Sequence, residues 1–131
     1  MDNDKRRRTR VNVKMPVIIC QGKTRVASMT RDISLKGLLA DPRPELIEGR
    51  PCTLSIFLHS GITINLDAFV AMNSARGAAF DFVKMDEDSF YHLHNLVKLH
   101  SKLPDQVDNE LTKPAFDREL LDRFMKEKDN N

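Results

Sequence analysis

Tryptophan is absent from this 131-residue chain and tyrosine occurs only once. The strands therefore offer no aromatic platform of the kind on which nucleic-acid bases stack. Cysteine occurs twice, as Cys20 and Cys52, each inside an apolar segment. With no C-x-x-C spacing and no disulfide framework, both are read as reduced core residues, since a free cysteine packs as a small hydrophobe. No stretch approaches the roughly 18 apolar residues of a membrane helix. The basic start, Lys5 to Arg8, imitates the charged region of a signal peptide. The apolar run behind it is cut by Lys14 and Pro16, however, and no cleavage-like segment follows, so the expected location is the cytoplasm.

Catalytic signatures are missing as well. There is no G-x-S-x-G element and no phosphate-cradling glycine loop, so nucleophilic and phosphoryl-transfer chemistry find no support. Histidines are few. His92 and His94 are two apart and point to different faces of a helix, while His92 and His100 are two turns apart. Neither pair has the His-x₃-His spacing of a helical chelate. They are read as surface or boundary residues, and no metal is expected.

What is present describes one compact domain. Apolar residues make up 40% and charged residues 31% of the chain, as in an ordinary globular protein, and the length suits one core rather than two. The net charge of +2 is unevenly spread. Residues 1–25 hold eight Lys/Arg against two Asp, a local +6, which leaves −4 on the remainder. A basic arm on a mildly acidic body fits a local anionic partner rather than a surface that coats nucleic acid.

The arm itself, residues 1–10, has no apolar residue after Met1 and is expected to be flexible until something binds it. From Val11 onward strand patterns take over. Val11, Val13 and Met15 alternate and run on through Val17 to Cys20, and a Gln21-Gly22-Lys23 turn leads to a return segment over 24–33. Residues 34–37 form a turn before a short strand, Leu38 to Ala40. Residues 41–51, with three prolines and a glycine, are a loop. Segments 52–58 and 62–72 flank His59-Ser60-Gly61 as a hairpin, with Ile62, Ile64, Leu66 and Ala68 on one face, and 78–83 is the last strand. Six short strands without an intervening helix predict an antiparallel barrel or sandwich.

The period then changes. Asp86-Glu87-Asp88 provides an N-cap and an acidic first turn for an amphipathic helix carrying Phe90, Leu93, Leu96, Val97 and Leu103, ended by Pro104. A second helical stretch over 115–128 places Phe116, Leu120, Leu121 and Phe124 on one face. That stripe is read as packing on the barrel, with a partner or dimer contact as the alternative. The organisation is thus a basic arm (1–10), a barrel with its following helix (11–103) and a helical tail (104–131).

Two motifs carry chemistry. Arg6-Arg7-Arg8-Thr9-Arg10 is an R-x-x-x-R cluster ahead of the first strand. Arginine grips phosphate through its planar fork and stacks on bases, and it also contacts guanine O6 and N7 in bidentate fashion. Asp32-Ile33-Ser34-Leu35-Lys36-Gly37 follows the second strand. It supplies a carboxylate able to accept from guanine N1–H and N2–H₂, a hydroxyl, and a glycine permitting a turn or close approach. The same residues also describe an ordinary Asx-type turn.

In these two motifs, their order and their separation, the chain resembles the PilZ family of cyclic di-GMP receptors over roughly residues 5–103. The resemblance implies a mainly β fold, a six-stranded antiparallel barrel followed by C-terminal helices. It implies no catalysis and no cofactor, with cyclic di-GMP as ligand. Arg6 and Arg10 would hold guanine and phosphate, Asp32 a guanine edge, and Ser34 a phosphate or guanine contact. Gly37 would keep the turn open, and Arg7 would be a lesser contact. The residue before the arginine motif, here Lys5, influences in this family whether one ligand or a stacked pair binds, and a cation leans towards the pair. Some small members carry a tryptophan near the end of the fifth strand, against the ligand; its equivalent here is Met72.

The function so implied is a receptor that orders its arginine arm on binding and signals to a protein partner in motility, adhesion or polysaccharide export. A small nucleic-acid-binding barrel and a degenerate adaptor that binds only protein are the alternatives.

Overall fold

The computed structural model describes residues 9–101. Six strands are present: β1 (Pro16–Gln21), β2 (Thr24–Ile33), β3 (Gly37–Ala40), β4 (Pro51–Phe57), β5 (Thr63–Ser74) and β6 (Gly77–Met85), followed by one helix, α1 (Glu87–His100). All pairings are antiparallel, and the order β1-β2-β3-β6-β5-β4 closes through β4 against β1. Closure removes the edges at which an open sheet recruits other chains. The expected six-stranded antiparallel barrel is what forms.

Alternation explains the interior. Val17 and Ile19 on β1, Leu54 and Ile56 on β4, and Ile64, Leu66 and Ala68 on β5 all point inward and are buried, as do Phe80 and Phe82 from β6. The hairpin between β4 and β5 sits where His59-Ser60-Gly61 predicts it. Leu58 N–H donates to Ile62 O at 2.8 Å, and Gly61 takes φ +90°, a conformation glycine adopts without a Cβ penalty.

Two features depart from the sequence expectation. The first strand begins at Pro16 rather than Val11. Val11, Val13 and Met15 are nonetheless buried, because an extended segment leads into β1 alongside β2 and bridges it at Val11 opposite Ile33. In addition, β2 carries a bulge. Thr30 pairs with Ala40 and Asp32 with Leu39, so Arg31 is an extra residue. Val26 and Thr30 face inward before the bulge and Ile33 faces inward after it. One inserted residue exchanges the two faces of a strand. Ala27 and Met29 consequently lie outside, with Thr30 inside.

The helix starts as expected. Asp86 Oδ1 accepts from Ser89 N–H at 2.7 Å, with Glu87 and Asp88 in the first turn. Leu93, Leu96 and Val97 join the core, and Ser89 Oγ accepts from Asn65 N–H on β5 at 3.1 Å. The helix stops at His100, with Ser101 as C-cap, a turn earlier than Pro104 requires. Leu103, Pro104 and the 115–128 stretch lie outside the described residues. So do Lys5, Arg6 and Arg7.

Candidate functional site

Asp32 would face the barrel interior if β2 kept its initial phase. The bulge at Arg31 turns it outward, and Arg31 itself is held by Asp41 (Nε to Oδ1, 2.7 Å) and by the Arg76 carbonyl. One residue further on, Ile33 exchanges two hydrogen bonds with Val11: Val11 N–H to Ile33 O at 2.8 Å and Ile33 N–H to Val11 O at 2.9 Å. This bridge fixes the chain just before the barrel and brings Arg10 to the same surface as Asp32. Arg10 Nη1 donates to Asp32 Oδ1 at 2.9 Å.

The segment behind Arg10 is anchored from inside by Thr30. Its hydroxyl donates to Val13 O at 2.6 Å and accepts from Met15 N–H at 2.9 Å, and its own N–H donates to Met15 O at 2.9 Å. Thr30 is buried, and a buried polar group needs such partners to be tolerated. Sequence reasoning did not single Thr30 out. The only available signal was a hydroxyl residue at even phase with Val26.

Ser34 and Gly37 build the turn that closes the site. Ser34 is buried. Its Oγ accepts from Lys36 N–H and Gly37 N–H and reaches Gly37 O, each at 3.2 Å, while Ser34 N–H donates to Gly37 O at 2.9 Å. The hydroxyl is thus engaged in shaping the turn, the Asx-like role the motif also allows. Gly37 lies in β3, and its need for glycine comes from β6: a Cβ there would stand 2.4 Å from the Phe80 carbonyl oxygen. Close packing of two strands, rather than an unusual turn conformation, demands the missing side chain.

These elements surround an open cleft of about 370 Å³, lined by Arg10, Asp32, Ser34, Lys36, Gly37, Leu38, Leu39, Ala79, Phe80 and Asp81. Its walls pair apolar strand surface with two cations and two carboxylates, a mixture suited to a ligand with flat rings, amide edges and negative charge. The structure therefore brings together Arg10, Asp32, Ser34 and Gly37 from the sequence expectation, and adds Lys36 and Asp81. Met72 is exposed on β5 with Ala79 as its register partner, beside the cleft rather than among its lining residues. No cluster of three or more His, Cys, Asp or Glu suited to a metal occurs among the described residues, and no helix among them is long and apolar enough to cross a membrane.

Cys20 and Cys52 are both free thiols. Burial pushes the Cys52 thiol up to about 12, with Asp67 and Cys20 adding to the shift. A thiol held protonated in this way is inert, in keeping with a core role for Cys52, whereas Cys20, expected in the core as well, is only half-buried.

Comparison with known proteins agrees with this architecture. The model of the PilZ domain family matches residues 4–99. No curated protein sequence matches. Among solved structures, the PilZ domain of CeSA from a cellulose-synthesizing bacterium superposes with a TM-score of 0.57 at 21% identity, covering 67% of this chain and 93% of that one. The PilZ domain of YcgR from Escherichia coli, solved with c-di-GMP, gives 0.60 at 13% identity, covering 85% and 100%. The Bacillus subtilis inhibitor of motility MotI/DgrA gives 0.60 at 15% identity, covering 86% of this chain and 54% of its own. At such identities the structures speak for the fold, and the family match runs from the arginine cluster through the barrel to α1: this chain belongs to the PilZ domain family.

Proposed function

We propose that this chain is a non-catalytic receptor for cyclic di-GMP. The observation that carries the reading is the meeting of Arg10 and Asp32 at 2.9 Å over the cleft, which joins the two motifs at one surface. Asp32 accepts from a guanine N1–H and N2–H₂ edge, and Arg10 turns its fork to guanine or phosphate. Lys36 adds a second cation at the same cleft. Ser34 and Gly37 act by holding the turn and the β3–β6 contact on which these groups stand.

Arg6 and Arg7, with Lys5 before them, belong to a segment dense in positive charge, and mutual repulsion opposes its folding alone. Phosphates relieve that repulsion, so the ligand draws the arm across the cleft and changes the surface presented to a protein partner. The c-di-GMP bound to the YcgR PilZ domain supports the choice of ligand. The process served, whether motility, adhesion or polysaccharide export, follows from the partner.

Isothermal titration of cyclic di-GMP into the wild-type chain, Arg10→Ala and Asp32→Ala tests the reading. Saturable binding in the micromolar range or tighter, lost in both variants, is expected, and the stoichiometry separates one ligand from a stacked pair at Lys5. Absence of heat and of any melting shift at excess ligand would overturn it and favour the adaptor reading.

A further inference from the structure

The described chain ends at Ser101, one residue past His100, which lines a second depression separate from the cleft. This groove, of about 430 Å³, runs between the β4–β5 turn and the second half of α1. Leu58, Leu96 and Leu99 supply its apolar surface, and His59, His92 and His100 stand around it. Leu99 is 79% exposed, more than any other large apolar side chain among the described residues. An exposed leucine alone is ordinary; one that lines a groove at the end of a helix is a place to cover.

The sequence indicates what covers it. Ser101 leaves the helix in extended conformation (φ −84°, ψ 146°), its N–H donating to Lys98 O, one residue past His100 on the groove's rim. Thirty residues follow, 102–131. Within them Phe116, Leu120, Leu121 and Phe124 fall at helical spacing. The intervening stretch, 102–114, exceeds the 2–8 residues that commonly reverse a chain between packed helices, so it is long enough to return the stripe to α1. Residues 103–112 hold Asp105, Asp108 and Glu110 and no Lys or Arg, a charge complement to Lys98 in the last turn of α1. A covalent tether also sets a local concentration near the millimolar range for short flexible linkers, which favours the chain's own tail over a second copy.

We propose that segment 115–128 docks within the same chain into this groove, laying Phe116, Leu120 and Phe124 over Leu99. The test uses the full chain in amide NMR without ligand, so its outcome does not depend on what the cleft binds. The Leu120→Asp/Phe124→Asp variant is expected to shift the amides of residues 58–62 and 95–100 while leaving 34–37 in place. Leu99→Asp, a change at an exposed position, is expected to speed hydrogen exchange of 116–124 at least tenfold. Both effects are expected to be independent of protein concentration. Unmoved groove amides in the tail variant, or unaltered exchange in Leu99→Asp, would overturn the proposal. So would a concentration-dependent effect accompanied by a dimer in light scattering, which would assign the groove to a second copy.

Discussion

Arg10 Nη1 and Asp32 Oδ1, twenty-two residues apart in sequence, form an ion pair of 2.9 Å in which the arginine side chain is 60% exposed and the aspartate 20%. So exposed a pair adds only about 0–1 kcal/mol to stability. Arg10→Ala and Asp32→Ala should therefore each shift the thermal midpoint by no more than a few degrees, while weakening cyclic di-GMP at least tenfold. Parallel melting curves and titrations separate the two effects; a large loss of stability would show the pair to be structural instead.

Gly37→Ala should behave in the opposite way. Its new methyl would meet the Phe80 carbonyl, and backbone yields less readily than a side chain, so a cost of about 1–3 kcal/mol is expected. Urea unfolding should show a lower midpoint with an unchanged slope.

Thr30→Val keeps the shape of the side chain but leaves Val13 O without its 2.6 Å donor and Met15 N–H without its acceptor. Loss of such buried partners costs about 1–3 kcal/mol. Amide exchange should accelerate at residues 11–15 more than in β4 or β5, and ligand affinity should fall because Arg10 loses its fixed position.

Cys52 makes stability fall at alkaline pH. Its folded value of about 12 lies above the ordinary thiol value of 9.0, so the unfolded chain releases its proton first. The stabilisation is complete below about pH 9 and is lost as pH rises from there towards 12. Cys52→Ala should flatten this part of the stability profile, measured by denaturant midpoint against pH. In the wild type, Cys52 should resist iodoacetamide until the protein unfolds.

The barrel was legible in sequence because period-two alternation and turn residues agree locally. Ile64, Leu66 and Ala68 mark one face, and Gly61 marks the turn before them. The helix was equally plain from Asp86 and the Leu93, Leu96, Val97 spacing. The site was legible only through its two motifs, and then only in part. That Arg10 reaches Asp32 depends on the Val11–Ile33 bridge, a long-range pairing with no local signal. Thr30 passed unnoticed because a threonine among polar residues looks solvated until the sheet phase is known. Gly37 was attributed to the turn, since the strand that excludes a side chain there lies more than forty residues away.

The bulge at Arg31 makes the candidate surface depend on pairing register as well as on residue identity. Were Arg31 drawn into the ladder as an ordinary paired residue, every letter of the downstream motif would stay intact, yet uninterrupted alternation from Val26 would drive the Asp32 carboxylate towards the apolar interior and Ile33 into water. Deleting Arg31, by contrast, should keep Asp32 outside and Ile33 inside, at the cost of the bulge's added twist and of the contacts to Asp41 and the Arg76 carbonyl.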